Sequence, residues 1–145
     1  EGEMVWVSML GTCIIGFMKA HAAHACPWDM THPTATGFIW DFSATAGHCF
    51  PGGHASTGFA LVTGYFVYRL DQTNSAWFYL FAGILLGFAM GWAQMMRGAH
   101  FISHNLWTGW ICLAINFVVY MITYKRHLRI AERNSVTQMS PNMIK

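Results

Sequence analysis

Four apolar runs constrain this chain more than any other feature: residues 4–18, 55–70, 76–96 and 101–124. A helix that crosses a bilayer needs about 20 mostly apolar residues, so the last two suffice as they stand and the first does if it extends to Ala23. A soluble helix bundle would need a polar face on each helix, and these runs have almost none. Composition agrees. Only 10% of the 145 residues are charged and 54% are hydrophobic, whereas about a quarter would be charged in an ordinary soluble domain. The fold expected is an all-α integral membrane protein with about four transmembrane helices. It forms one helical domain over residues 1–124, followed by a basic cytoplasmic tail over 125–145. Gly83, Gly87, Gly91 and Ala93 in the third run imply close helix packing within the chain rather than dimerisation. The opening Glu1-Gly2-Glu3 lacks an initiator Met and a basic leader, so the sequence reads as a processed or incomplete piece of a longer chain.

Basic residues give the orientation. Arg69 follows the second run, and Lys125, Arg126, Arg129 and Arg133 follow the fourth, so those ends are expected in the cytoplasm by the positive-inside rule. Alternation then places the 19–50 loop and the 97–104 stretch together on the opposite side. Seven of the eight histidines gather there, with His127 alone on the cytoplasmic side. Titratable groups collected at one membrane face suggest a site.

Three segments supply it: Lys-Ala-His-Ala-Ala-His-Ala-Cys-Pro-Trp-Asp (19–29), Cys-Phe-Pro-Gly-Gly-His-Ala-Ser (49–56) and Met-Arg-Gly-Ala-His-Phe-Ile-Ser-His-Asn-Leu-Trp-Thr-Gly (96–109). Pro51 suits a helix start, where no amide donor is needed. The free N–H groups of that start favour an anion, and His54 lies in the first turn. Arg97 and His100, three apart, share a helical face, as do His100 and His104, four apart. Phosphate-ester hydrolysis would use such groups: cations and amides for the oxygens, one histidine to attack phosphorus and another to protonate the leaving oxygen. Spacing alone fits other chemistries too.

These segments resemble, in order, the three motifs of the type 2 phosphatidic acid phosphatase family, membrane enzymes related to bacterial acid phosphatases and vanadium haloperoxidases. Lys19 is followed after six residues by Cys26-Pro27, where the family has Arg-Pro. Pro51-Gly52-Gly53-His54 stands for Pro-Ser-Gly-His. Gly98-Ala99-His100-Phe101-Ile102-Ser103-His104 stands for Gly-x-His-(Phe/Tyr)-x-Ser-Asp. A branch with Cys-Pro-Trp-Asp, Cys-Phe-Pro-Ala-Gly-His-Ala-Ser and Arg-Gly-Ala-His-Phe-Leu-Ser-His-Asp is closer still. Residues 19–109 carry the resemblance. It implies that His100 is the nucleophile and forms a phosphohistidine, and that His54 is the general acid. Lys19, Arg97 and the amides of Gly52 and Gly53 would bind phosphate. No metal or other cofactor is implied. The substrate implied is a lipid phosphate or lipid pyrophosphate, met from the surrounding membrane lipids at the periplasmic face of a bacterial inner membrane. No nucleic-acid partner is expected.

The departures from the motifs bear on that expectation. Cys26 replaces an arginine, Gly52 a serine, and Gln94 another arginine six residues before His100. His104 takes the place of the aspartate that orients the nucleophile; it could accept a hydrogen bond from His100, and Asp29 or Asp41 could stand in for the carboxylate. The family's membrane members have six helices, two of them before the first motif. Two further helices, or partner subunits, would therefore cover the exposed flank. These departures keep open a degenerate member that serves as a structural subunit of a membrane complex. A metal or haem protein using the same histidines, for example His21 and His24 as a helical pair, leaves Lys19 and the Gly-Gly turn unexplained. Cys26 and Cys49 both fall on the oxidising side, where a disulfide would tie the first motif to the second. Cys13 and Cys112 read as small apolar packing residues. His32 and His48 read as loop residues, and Trp28, Trp40 and Trp77 as residues for the membrane interface.

Overall fold

The computed structural model describes residues 2–44 and 47–139. Three long helices form the frame: α1 (Gly2–His21), α4 (Thr73–Met96) and α5 (Ile102–Met139). All three are long and apolar enough to cross a membrane. Most of their apolar side chains point outward, including Trp6, Phe17, Phe78, Leu85, Trp110 and Ile122. A water-soluble bundle would bury such residues. The chain is an all-α integral membrane protein.

The second apolar run differs from the other three. It is helical from Gly53 to Tyr68, but as α2 (Gly53–Phe59), a 3₁₀ turn (Ala60–Val62) and α3 (Thr63–Tyr68). It is therefore a short, segmented helix rather than a fourth long continuous one. Its glycines explain the interruption, because they weaken helix continuity and invite close neighbours. A Cβ on Gly58 would meet the Gly87 amide nitrogen at 2.5 Å, and one on Gly83 would meet the Val62 nitrogen at 2.8 Å. Gly87 takes the Phe59 ring and Gly91 the Asn105 side chain. The glycine stripe of α4 thus packs within the chain, as its spacing predicts. Ala93 lies off that face and is exposed. Phe59 joins Ile15, Ala55 and Cys112 in the small apolar core and meets Phe88 edge-on at 5.4 Å. Cys112 packs there as expected, whereas Cys13 faces outward from α1.

The loop after α1 holds two elements that its polar sequence does not announce. A 3₁₀ turn covers Pro27–Asp29, and a hairpin pairs β1 (Thr31–Thr34) with β2 (Gly37–Trp40), antiparallel, with Thr31 opposite Trp40. Phe38, Ile39, Trp40 and Phe42 are exposed on it.

Helix α5 runs on past Tyr124, where the apolar run ends, because residues 125–139 contain no proline or glycine. Its 38 residues span about 57 Å at 1.5 Å each, well beyond a hydrocarbon core of about 30 Å. Near the His127 end the helices are tied by polar contacts. The Glu3 carboxylate lies 2.9 Å from His127 Nε2 and accepts from the Thr123 hydroxyl. Arg69 lies over the rings of Tyr65 and Tyr120, and Asn134 donates to Asp71. A cavity of about 1000 Å³ opens beside Glu3 and His127. None of the histidines of the three motifs lines it.

Candidate active site

The opposite end of the bundle brings the three sequence segments together. Lys19 is in the last turn of α1, half-buried. Its ammonium would stand 3.8 Å from a Cβ on Gly53, so it reaches the start of α2. Cys26 and Cys49 are joined in a disulfide, with Cα atoms 5.2 Å apart. The Cys49 N–H donates to the His24 carbonyl, and the Trp28 N–H donates to the Gly98 carbonyl at 3.0 Å. First segment to second and first to third are therefore each tied by main chain. Gly98 has φ +70°, a left-handed conformation that suits glycine, and it turns the chain from α4 toward His100.

His100 lies between α4 and α5 and is 6% exposed. Its Nδ1 sits 3.6 Å from Cys49 Sγ. Its pKa is pushed down to about 4, first by burial and then by the Lys19 charge, with smaller contributions from His104 and His54. The Cys49 carbonyl, as a hydrogen-bond acceptor, works the other way. The ring is therefore neutral at ordinary pH, with a nitrogen lone pair available, which a nucleophile requires. His54 is the second residue of α2 and is exposed, close enough for its charge to be felt by His100.

His104 is buried in the first turn of α5, packed edge-on against Phe50 and Phe101 at 5.4 Å each, with its ring centroid 6.1 Å from that of His100. Its Nδ1 has no hydrogen-bond partner among the described residues, so it does not accept from His100. The carboxylates do not stand in for it either. Asp29 accepts from the Cys26 N–H, and Asp41 accepts from Ser43 and faces His32 at 3.7 Å. Among the described residues no carboxylate hydrogen-bonds His100. Arg97 ends α4 exposed and is not among the charges that act on His100.

The two motif glycines differ. The Gly52 N–H donates to Thr108 Oγ1 at 2.8 Å, and that hydroxyl donates to the His104 carbonyl at 2.7 Å. The Gly52 amide is therefore engaged. The Gly53 and His54 amides open α2 with no protein partner among the described residues. Thr108 is a residue that sequence reasoning missed, although it lies four residues after His104 on one face of α5; His100 precedes that helix and does not share its face. Asn105, where the closer branch has an aspartate, is buried against Gly91 and Gly52 with its amide unpaired among the described residues.

Of the remaining histidines, His24 meets the His104 ring edge-on at 6.3 Å. His21 Nδ1 lies 2.9 Å from the Phe17 carbonyl. Helix α1 ends at His21, so His24 does not share a helical face with it and the pair is not a helical metal site. His24 packs on Phe50, and His48 Nδ1 lies 2.9 Å from the Ala22 carbonyl. A group held by Cys49, His100 and His104 would find their ligand atoms within 4.8 Å of one another, but a sulfur in a disulfide offers no thiolate.

No curated protein matches the chain significantly, and no solved structure does either. The model of the PAP2 superfamily matches residues 2–128, which span all three segments. The chain, with its neutral buried histidine beside a lysine and a helix start, belongs to the PAP2 superfamily, and phosphatase activity is the activity that membership suggests.

Proposed function

We propose that this protein is a membrane lipid phosphatase that hydrolyses a lipid phosphate monoester or pyrophosphate through a phosphohistidine, with its site on the extracytoplasmic face. The observation that carries the reading is the neutral, buried His100 flanked by Lys19 and His54 at the start of α2.

The phosphoryl group binds with its oxygens toward the Lys19 ammonium and the free amides of Gly53 and His54. Arg97, exposed at the rim, is placed for the outer part of a head group. His100 Nδ1 faces Cys49, which leaves Nε2 to attack phosphorus. As the P–O bond to the lipid breaks, His54 protonates the departing oxygen. His54, now neutral, then takes a proton from a water that attacks the phosphohistidine, releasing inorganic phosphate and restoring His100. Lys19 and the amides stabilise the charge on the transferring group at each step. Acyl or prenyl tails stay in the bilayer against the exposed apolar helix faces. Thr108 holds Gly52, and so fixes the height of α2 beside His100.

One observation favours a second reading. With His104 Nδ1 unpartnered and no carboxylate on His100, the site is under-equipped, as in a degenerate member kept as a structural subunit. The test is phosphate release by purified protein in detergent from phosphatidic acid, a prenyl pyrophosphate and phosphatidylglycerol phosphate. Release that vanadate blocks and that His100→Ala and His54→Ala both lose supports the enzyme. Silence on all three lipids, with a copurifying membrane partner, replaces it with the subunit.

A further inference from the structure

We propose that opening the Cys26–Cys49 disulfide converts Cys49, His100 and His104 into a divalent-metal site of the zinc type, which takes His100 out of reaction. The metal site stands on its own geometry; only the inhibition rests on the phosphatase reading.

The three residues are buried and their ligand atoms lie within 4.8 Å of one another. Cys49 Sγ and His100 Nδ1 are 3.6 Å apart. A tetrahedral zinc with its usual bonds to sulfur and nitrogen sets those two atoms about 3.6 Å apart, so this edge is already formed. His104 is the third member of the group, and the Cys49 carbonyl lies near enough to act on its ring. His104 is 9% exposed, and its Nδ1 is buried with no hydrogen-bond partner among the described residues. Such an atom is costly to bury unless something satisfies it. The fourth position is left for water or a phosphate oxygen, as in zinc sites that keep an open coordination position.

The disulfide is the gate. While it is closed, the sulfur is not a thiolate and binds zinc poorly. A dithiol reductant opens it by becoming a disulfide itself, delivering two electrons and two protons to give the Cys26 and Cys49 thiols. Metal binding then releases the Cys49 thiol proton to solvent and forms the sulfur–metal bond. Cys49 stays in place after reduction, because it is fully buried and its N–H is held by the His24 carbonyl. Cys26 is not among the three ligands, so Cys26→Ser supplies the open form without reductant.

Cobalt(II) is the probe, titrated into the whole protein in detergent. Three forms are compared: oxidised, reduced by a phosphine (which becomes its oxide by taking oxygen from water), and Cys26→Ser. The expected result is one equivalent bound with a near-ultraviolet sulfur-to-cobalt charge-transfer band in both open forms and no band in the oxidised protein. Cys49→Ser should lose the band, and His104→Ala should weaken binding at least about tenfold. Zinc should displace cobalt and stop phosphate release in the open forms only. Absence of the band from both open forms, or its survival in Cys49→Ser, overturns the site. If Cys26→Ser does not fold, the phosphine-reduced parent carries the test. A band with phosphate release unaffected keeps the metal site and overturns the inhibition, together with His100 as nucleophile. A band in a protein that releases no phosphate at all leaves the site standing and removes the phosphatase reading.

Discussion

At the His127 end, Glu3 is shared by His127 and Thr123 and the exposed Arg69 lies over two tyrosine rings. Of the buried polar side-chain atoms there, only Asn116 Oδ1 lacks a partner among the described residues. At the His100 end, His104 Nδ1 and both polar atoms of the Asn105 amide are buried with no partner. Both ends belong to the same helix bundle and both place a histidine on α5. The difference is one of degree: three unpaired buried atoms at the His100 end against one at the His127 end, among the described residues. A completed network fixes helices relative to one another, whereas polar atoms left open in an apolar setting cost stability and are kept where something else is to bind.

The largest test of that contrast exchanges the two histidines. His100→Ala should cut phosphate release by at least about 10⁴-fold, the scale seen when a nucleophile is removed, with thermal unfolding in detergent unchanged or improved. His127→Ala should do the reverse. It strands a mostly buried Glu3 carboxylate and should cost about 1–3 kcal/mol of stability, while release per folded molecule stays the same. Equal losses of activity in both variants would dissolve the distinction between the ends.

Gly58→Ala should affect both properties, since the added Cβ meets Gly87 backbone at 2.5 Å. A loss of about 1–3 kcal/mol is expected from overpacking, measured by thermal unfolding. Arg69→Ala should cost less, about 0.5–1 kcal/mol, the scale of a cation–π contact near solvent, with kcat untouched. The smallest expected change is a shift in the His100 midpoint on Lys19→Met, separate from the loss of phosphate binding, because the Lys19 charge is only the second cause of the low His100 pKa. Removing a positive neighbour favours the imidazolium, so the midpoint must rise from about 4 toward 6.5. Histidine NMR titration reads it directly. A midpoint that stays put or falls would show that Lys19 does not face His100.

How much of this was readable in the sequence varies with the range of the signal. Apolar length identified α1, α4 and α5 because it is a local property, and the four-residue glycine spacing identified the contact face of α4. Motif order gathered Lys19, His54 and His100, which lie far apart along the chain. What stayed hidden depends on contacts between distant residues. The segmentation of the second helix follows from Gly87 pressing on Gly58, which no window centred on residue 58 contains. The engagement of the Gly52 amide depends on Thr108, 56 residues away. The 125–139 part of α5 was missed for a different reason: the reading followed hydropathy, and helix propensity continued after hydropathy stopped.

One feature of the interior reaches further than packing. Gly58 meets Gly87 one turn after His54, with no side chain between the two backbones. The depth at which His54 sits beside His100 is therefore set by this backbone contact within the bundle together with the Thr108 bond to Gly52. A chain built this way can exchange its loop residues without disturbing the distance between the imidazoles of His54 and His100. The same arrangement makes that distance hard to retune, since any side chain larger than hydrogen at position 58 or 87 shifts the whole helix start.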